Sequence, residues 1–230
     1  MSERLDLIVS LVPDGRGAAD VGTDHGYVPA ALARRGYPGN IIASDLRPGP
    51  LSSARAAAAQ AGVEERIKFV LCDGLSGVSP DEADAVVVAG MGGDTITGIL
   101  DRDYWCAAPG YSLILQPMSR QNVLRYWLVN NEFRITGEHL VRDAGTIYQV
   151  FTAEYGRAPR YSDAELYTGL FAQVRSLELF PEYLDGLIGR FAAAVQGMES
   201  SRAHPPGRLP LERGVLKELM DMKARLLQNG

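Results

Sequence analysis

Glycine and acidic residues recur where apolar segments of the chain end, in a pattern typical of a site for a nucleotide-like ligand. The stretch DVGTDHGYVPAAL places Asp24 and His25 between Gly22 and Gly26. Two glycines let the backbone approach a ligand closely, and the free amides of a helix that begins near Tyr27 favour anionic or polar groups. The stretch therefore predicts a ligand loop between a strand and a helix.

The type of ligand follows from what this loop lacks. The G-x-G-x-x-G fingerprint of nicotinamide dinucleotide sites is absent, because Thr23, Asp24 and His25 follow Gly22. An acidic Asp24 would also repel a pyrophosphate. The loop favours a ligand with a cationic or amino-acid part over a dinucleotide.

Two more carboxylates follow apolar segments further along the chain. Asp45, in IIASDL, is placed to accept both hydroxyl hydrogens of a ribose. Asp73 and Gly74, in LCDGL, would lie beside the same crevice, where a carboxylate accepts from an adenine amino group and glycine leaves room for the ring. One such acidic residue is equally explained as a helix cap. Carboxylates after three successive segments indicate one site.

A glycine-rich turn, AGMGGD, follows the fourth apolar segment. Gly90, Gly92 and Gly93 leave backbone exposed where a substrate must approach the ligand, and Met91 would cover an apolar or aromatic face. The alternative is a tight turn that only starts a helix. The fifth segment ends in Gln116, whose amide could read a base edge.

These residues can form one site only if the fold brings the carboxyl ends of the apolar segments together. Short β-rich runs alternate with helical patterns over the first 155 residues, at 18–21, 40–44, 67–71, 85–89 and 112–116. This alternation predicts an α/β fold with a doubly wound parallel sheet. Segments 133–143 and 146–156 are separated only by Ala144 and Gly145, which is too short for a parallel crossover. The sheet should therefore end in an antiparallel hairpin.

From Tyr161 onward the pattern is helical. Ser162 and Glu165 form a capping-box pattern, and Pro181 separates a first helix from a second. Apolar residues recur every three or four positions in two longer helices, at Leu184, Ile188, Phe191, Val195 and Met198, and at Val215, Leu219, Met222 and Leu226. The stripes predict either a coiled-coil-like hairpin, linked by residues 200–208, or ordinary packing against the first part of the chain.

Composition narrows the class of protein. The chain is 46% hydrophobic and 22% charged, as in folded soluble proteins. No apolar run reaches the roughly 20 residues that cross a membrane, and the start lacks signal-peptide features, so we expect no membrane partner and a cytoplasmic location. Two cysteines and three scattered histidines lack metal-ligand spacing, so no metal is expected.

The net charge of −5 lies in residues 1–150, and residues 151–230 are neutral. This distribution disfavours a strongly basic surface that would bind nucleic acid through charge.

The motifs DVGTDHGYVPAAL, ASDLRPGPLSSAR, CDGL, VVAGMGGDTITGIL and LILQPM, in this order, resemble those of the bacterial tRNA (adenine(22)-N(1))-methyltransferases. The resemblance covers the whole chain. It implies a class I methyltransferase fold, which is a Rossmann-like doubly wound sheet of seven strands with the last antiparallel. It also implies a catalytic domain at residues 1–157, a helical coiled-coil-like tRNA-recognition domain at 158–230, S-adenosyl-L-methionine as cofactor and tRNA as partner. We expect a monomer or a weak homodimer.

The same resemblance implies which residues hold the cofactor. They lie in the four glycine-containing or acidic motifs, at Gly22, Asp24, His25, Gly26, Asp45, Leu46, Asp73, Gly74, Ala89, Gly90, Met91 and Gly92.

On the substrate side we expect the glycine-rich turn, the end of the fifth strand and nearby arginines to contribute. These residues are Met91, Gly92, Gly93, Gln116, Pro117, Arg47 and Arg120. Arg34, Arg35 and Arg125 are further candidates for phosphate contacts, with solvated surface arginines as the alternative. Tyr27 and Tyr111 could stack a base or could be ordinary core or surface aromatics.

The chemistry places modest demands on the protein. N1 of adenine has an in-plane lone pair and needs no prior deprotonation, so alignment and removal from water should carry most of the rate. The product is cationic, so a carboxylate could stabilise it or accept the N6 proton. Asp24 is the first catalytic candidate, with pure cofactor binding as its alternative, and Asp94 is the second, with a helix cap as its alternative. His25 is expected to be a hydrogen-bonding scaffold.

Two other functions fit the same residues. One is a methyltransferase for a small molecule, in which the helical tail serves dimerisation. The other is a non-catalytic RNA-binding protein that retains a nucleotide pocket.

Overall fold

The computed structural model describes residues 2–200, 205 and 207–228, and the chain divides into two compact units, residues 1–159 and 160–230. The first unit alternates helices and strands. In chain order they are α1 (Glu3–Leu11), β1 (Gly17–Val21), α2 (Tyr27–Arg34), β2 (Asn40–Asp45), α3 (Pro48–Gln60), β3 (Ile67–Leu71), β4 (Ala85–Gly92), α4 (Gly93–Arg102), β5 (Ser112–Ser119), α5 (Gln121–Asn130), β6 (Phe133–Asp143) and β7 (Thr146–Tyr155).

The seven strands form one sheet in the order β3-β2-β1-β4-β5-β7-β6. Strands β1 to β5 pair in parallel, and β7 pairs antiparallel with both β5 and β6. Ala19 in β1 lies opposite Ile42 in β2 and Val86 in β4. This arrangement confirms the predicted doubly wound sheet with its antiparallel strand, and it brings the carboxyl ends of the parallel strands to one edge.

The hairpin that ends the sheet has the predicted two-residue link. Ala144 has φ +46° and Gly145 has φ +81°. Positive φ at both central residues is the mark of a tight hairpin turn whose twist matches that of the flanking strands. The short link therefore imposes the antiparallel pairing of β6 and β7.

The central strands are buried on both faces by helices. All five residues of β1 are buried, and Val86, Val87 and Val88 of β4 are fully inaccessible. Because both faces of these strands are buried, their sequences are nearly continuous apolar runs, and this is the pattern that predicted them. The exception is Asp20, a buried carboxyl in β1.

The second unit is helical, with α6 (Glu165–Thr168), α7 (Phe171–Val174), α8 (Phe180–Ser200) and α9 (Arg208–Gln228). The predicted reciprocal bonds of the capping box are present, because Glu165 N–H donates to Ser162 Oγ and Ser162 N–H donates to the Glu165 carboxylate. The predicted single first helix is wrong: it is two separate turns, since Gly169, at φ +92°, interrupts it.

Helices α8 and α9 contact each other. Of the predicted stripes, the structure buries Leu184, Phe191, Val195, Val215, Leu219 and Met222, whereas Ile188, Met198 and Leu226 are half-buried. Phe180 and Leu187, which were not predicted, are also buried. Residues 201–204 and 206 of the predicted link lie outside the described residues. Although α8 and α9 have 21 residues each, none of the described helices is long and apolar enough to cross a membrane.

A buried ion pair joins α5 to the hairpin. Arg125 is fully buried, and its Nε and Nη2 donate to the two carboxylate oxygens of Glu138 at 3.1 and 2.7 Å. Its guanidinium also stacks over Phe151, 4.6 Å from the ring centroid. The expectation that Arg125 holds a phosphate is therefore wrong, because the guanidinium is buried and paired with Glu138.

We predict that Arg125→Met lowers the free energy of unfolding by about 3–5 kcal/mol, because it leaves the Glu138 carboxylate buried without a partner. The double change Arg125→Met with Glu138→Leu should recover most of this loss. Urea denaturation measures both. The control is Arg134→Ala, which breaks the exposed pair with Glu154 on the same hairpin and should cost less than about 1 kcal/mol. A double variant no more stable than Arg125→Met would contradict the interpretation.

Candidate active site

A cavity of about 870 Å³ opens at the carboxyl ends of the parallel strands. It lies where the strand order reverses between β1 and β4, which is the usual ligand position in doubly wound sheets. Its walls include the following predicted residues: Gly22, Asp24, Asp45, Leu46, Arg47, Asp73, Gly74, Ala89, Gly90 and Met91. The other predicted site residues are not among those that line it: His25, Gly26, Gly92, Gly93, Asp94, Gln116, Pro117 and Arg120.

The loop between β1 and α2 has an unusual backbone. Gly22, Asp24 and Gly26 all have positive φ, at +70°, +50° and +69°. A side chain at Gly22 would overlap the terminal methyl group of Met91, whereas a side chain at Gly26 would press on Ala54 of α3. Gly22 thus keeps space open inside the cavity, and Gly26 permits α2 and α3 to pack closely.

Asp45 connects this loop to the end of β2. Its carboxylate is buried and accepts the backbone N–H of Asp24 at 3.3 Å and that of Arg47 at 2.9 Å. Two carboxylate oxygens offer about four acceptor positions, so lone pairs remain for ligand hydroxyls. The geometry is compatible with the predicted ribose contact.

Asp73 and Gly74 lie on the other side of Asp45. The Asp73 carboxylate is half exposed and accepts from Arg102 Nη2 at 2.8 Å. An exposed pair of this kind is weak, so a ligand amino group can compete for the carboxylate. Gly74 has φ +64°, and an added Cβ would lie 3.2 Å from Ile99 and 3.3 Å from Asp103, so glycine is needed here for shape.

The glycine-rich turn at the end of β4 is fixed by Gln116. The register between β4 and β5 shifts on both sides of Met91, and Gly90 has φ +77°. Gly90 N–H donates to Gln116 Oε1 at 3.1 Å, while Gln116 Nε2 donates to the Pro117 carbonyl at 3.1 Å. The Gln116 side chain is fully buried, so its position differs from the predicted one: it holds the turn and does not present its amide to a base edge.

Gly93 and Asp94 have roles at the start of α4. A Cβ on Gly93 would overlap the Arg120 carbonyl, so this glycine serves packing. Asp94 lies in the first turn of α4. The N-cap of this helix is Gly92, and no side chain caps it. The exposed Asp94 carboxylate forms an ion pair with Arg120 Nε at 2.7 Å. Neither partner of this pair lines the cavity, which removes the geometric support for Asp94 as a catalytic group.

His25 is exposed beside the cavity, with Nε2 3.6 Å from the Asp24 carboxylate and its ring 5.7 Å from that of Tyr27. Tyr27 lines the cavity and is 54% exposed, whereas Tyr111 donates to the Pro80 carbonyl elsewhere in the unit. Of the two tyrosines considered for base stacking, the cavity thus includes Tyr27.

The arginines considered for phosphate contacts divide into two groups. Arg35 donates to the carbonyls of Val9 and Val12 at 2.6 and 2.8 Å, so it ties α2 to α1. Arg34 and Arg47 are exposed, and Arg47 also lines the cavity. Arg47 is therefore the best placed of them.

Asp20 and Arg4 line the cavity but were missed in the sequence. Burial raises the pKa of Asp20 to about 7, the nearby Asp45 charge adds to the effect, and the Thr23 hydroxyl opposes it. An acidic residue inside an apolar β-run is the signal that could have found Asp20. Among the described residues, no group of three or more His, Cys, Asp or Glu side chains is arranged to hold a metal ion.

Comparisons with known proteins identify the family. A family model described as a methyltransferase domain matches residues 1–151. The tRNA (adenine(22)-N(1))-methyltransferase of Bacillus subtilis (strain 168) is 32% identical over 171 residues, which cover 74% of this chain and 72% of that protein. The crystal structure of the B. subtilis m1A22 tRNA methyltransferase TrmK matches with a TM-score of 0.79 at 26% identity, over 99% of this chain and 97% of that one.

Sp1610 of Streptococcus pneumoniae, solved in complex with S-adenosyl-L-methionine, matches with a TM-score of 0.81 at 29% identity, over 99% of each chain. The fold and the sequence relatives agree. The chain therefore belongs to the tRNA (adenine(22)-N(1))-methyltransferase family.

Proposed function

We propose that this protein transfers the methyl group of S-adenosyl-L-methionine to N1 of adenine 22 in tRNA. The observation that carries the proposal is one cavity lined both by three acidic strand ends and by the glycine-rich turn at the end of β4. Family membership with enzymes named for this reaction supports it.

The residues present fit the cofactor. Asp45 would hold the ribose hydroxyls, Asp73 and Gly74 the adenine, and the Gly22 to Asp24 loop the methionine part. Four acidic residues line the cavity, at Asp20, Asp24, Asp45 and Asp73. Opposite charge favours a sulfonium and an ammonium over a pyrophosphate. When bound, the cofactor supplies an electrophilic methyl group on its sulfonium.

The apolar part of the lining suits an aromatic base. Leu5, Met91, Thr95 and Met118 line the cavity, as does Tyr27, which is exposed. Apolar and aromatic side chains bind the faces of a base that has been turned out of its stack. Because N1 attacks through its in-plane lone pair, these residues act by orienting the ring and excluding water.

Asp24 remains our proposed group for stabilising the cationic product or accepting the N6 proton. It lines the cavity, and its side chain is two-thirds exposed, so a proton it accepts can pass to solvent. His25 is close enough to orient the Asp24 carboxylate. Asp94 is a weaker candidate because it is paired with Arg120 outside the cavity.

Recognition of the tRNA is assigned to two parts of the chain. Arg47 is exposed at the cavity and is proposed to contact a phosphate. The helical residues 158–230 are proposed to place the tRNA by shape, since their charges balance. A monomer or weak homodimer and a cytoplasmic location stay predictions.

The direct test is incubation of the full chain with S-adenosyl-L-methionine and unmodified tRNA, followed by mass spectrometry of nuclease fragments. We expect N1-methyladenosine at position 22. A matched tRNA with guanine at position 22 should remain unmodified. Methylation of adenosine monophosphate in preference to tRNA would favour a small-molecule enzyme, and cofactor binding without methylation of any tRNA would favour a non-catalytic protein.

We predict that Gly22→Ala weakens S-adenosyl-L-methionine binding about tenfold or more, because the added methyl group overlaps Met91, whose side chain lines the cavity and must move. The matched control is Gly36→Ala, at φ +76° with open space around it. Both changes carry the cost of a left-handed alanine, about 1 kcal/mol in stability. Isothermal titration calorimetry should show the binding loss only for Gly22→Ala, and equal losses would contradict the assigned role.

A pH dependence follows from Asp20. Between its ordinary pKa and about 7, the folded protein holds a proton on Asp20 that the unfolded chain releases, so the free energy of unfolding falls as pH rises through this window. The variant Asp20→Asn has no titrating group at this position, so its stability does not fall in this way. We therefore expect the difference in Tm, variant minus unsubstituted protein, to increase by several degrees from pH 5 to pH 8, at about 2–4 °C per kcal/mol.

Thermal unfolding without ligand at pH 5, 6, 7 and 8 measures this effect. The control is Asp81→Asn, at an exposed carboxyl in a loop, which should give a constant difference in Tm. A constant difference for Asp20→Asn as well would show that Asp20 titrates at its ordinary pKa.

A further inference from the structure

Arg4 lies on α1, outside every motif, yet its side chain lines the cavity and is only 20% exposed. Its Nη1 donates to Gln116 Oε1 at 2.5 Å, and its Nε lies 3.6 Å from the Asp143 carboxylate. Its guanidinium carbon is 5.4 Å from the centroid of the Tyr148 ring. Three partners of different kinds fix both the position and the plane of the guanidinium.

The contact with Gln116 favours one orientation of the buried amide. An amide can be turned over about its last torsion, which exchanges its oxygen and nitrogen at little steric cost. Arg4 has donors and no acceptor, so only the amide oxygen can face it. Arg4 therefore favours the orientation in which Gln116 Oε1 also accepts the Gly90 N–H, and the Pro117 carbonyl, which accepts from Nε2, favours the same one.

The opposite orientation would disrupt the turn at the end of β4. It would set Gln116 Nε2, a donor, against the Gly90 N–H, which is also a donor. Gly90 would lose the hydrogen bond that holds it at φ +77°, between Ala89 and Met91 where the register shifts. Gly90 is exposed, so its freed N–H would bond to water, and the turn would lose a side-chain bond that fixes its shape.

We propose that Arg4 is a positioning residue for methyl transfer, which acts through the Gln116 amide to hold the backbone of the turn at Gly90 in the shape that orients the target base. The catalytic part of this inference rests on the proposed function. The structural part, the dependence of Gly90 on Arg4, does not.

A direct contact between Arg4 and a tRNA phosphate is the competing role. The Arg4 charge already faces the Asp143 carboxylate, and its Nη1 is bonded to Gln116, which favours positioning. The two roles predict different kinetics. Loss of a positioning residue lowers kcat, whereas loss of a phosphate contact raises KM and reduces the dependence of binding on salt.

The kinetic test uses Arg4→Met, Gln116→Met and the double variant in the full-length protein. We expect Arg4→Met to lower kcat about 10–100-fold, as for a reacting group misplaced by about 1 Å, with KM for tRNA changed less than about threefold. The double variant should be no slower than Gln116→Met alone, because both changes remove the same link. Arg4→Lys, which keeps a donor without its planar geometry, should recover part of the rate.

The matched control is Arg55→Met on α3. Arg55 likewise makes an ion pair, 3.1 Å from Glu64, and stacks over the Phe69 ring at 4.5 Å, but it is not among the residues that line the cavity. It should leave kcat unchanged. An additive double variant, or an effect of Arg4→Met confined to KM, would overturn the proposal.

A second measurement does not depend on activity. In ¹H–¹⁵N spectra of the free protein, Arg4→Met should shift the Gly90 amide and the Gln116 side-chain amide and speed hydrogen exchange at Gly90, whereas Arg55→Met should not. If Arg4→Met fails to fold, Arg4→Lys supplies the comparison, with a smaller shift expected. An unchanged Gly90 amide would overturn the proposal. Absence of tRNA methylation by the unsubstituted protein would instead refute the proposed function.

Discussion

The buried carboxylate of Asp45 is the contact on which the shape of the cavity depends. It accepts backbone N–H groups from Asp24 and Arg47, so one side chain joins the loop after β1 to the turn after β2. Burial of a charge is costly unless donors surround it, and these two charge-assisted bonds offset part of that cost. The left-handed backbone at Asp24 is held by the same contact. A site built in this way has its polar groups fixed before any ligand arrives.

In the proposed function, the lining of the cavity divides the chemistry. Its acidic residues, among them Asp20, Asp45 and Asp73, suit a positively charged methyl donor. Its apolar residues, among them Met91 and Met118, would form the wall that meets the target base. No base is needed to activate N1 of adenine, so this wall has to supply shape more than proton transfer. That is why the geometry of the turn at Gly90 matters for the rate.

The sequence predicted those features that depend on neighbours along the chain. Alternation of apolar runs and helices, the two-residue hairpin link and acidic residues at strand ends are local signals, and the structure has each of them. The contacts that sequence spacing cannot reveal join distant segments: Arg4 meets Gln116 across 112 positions, and Arg125 meets Glu138 inside the fold. The role of each glycine could not be predicted either, because it depends on what lies near the glycine in space. Gly22 lies against Met91 in the cavity, whereas Gly93 lies against the Arg120 backbone.

The central claim is that this one cavity holds the cofactor against the turn at Gly90. It is tested most directly by a crystal structure of the protein with S-adenosylhomocysteine, the product form of the cofactor. The account predicts ribose hydroxyls on the Asp45 carboxylate, the adenine beside Asp73 and Gly74, and the amino-acid end at the loop from Gly22 to Asp24. Ligand bound elsewhere on the protein, or in this cavity with its ribose away from Asp45, would contradict it.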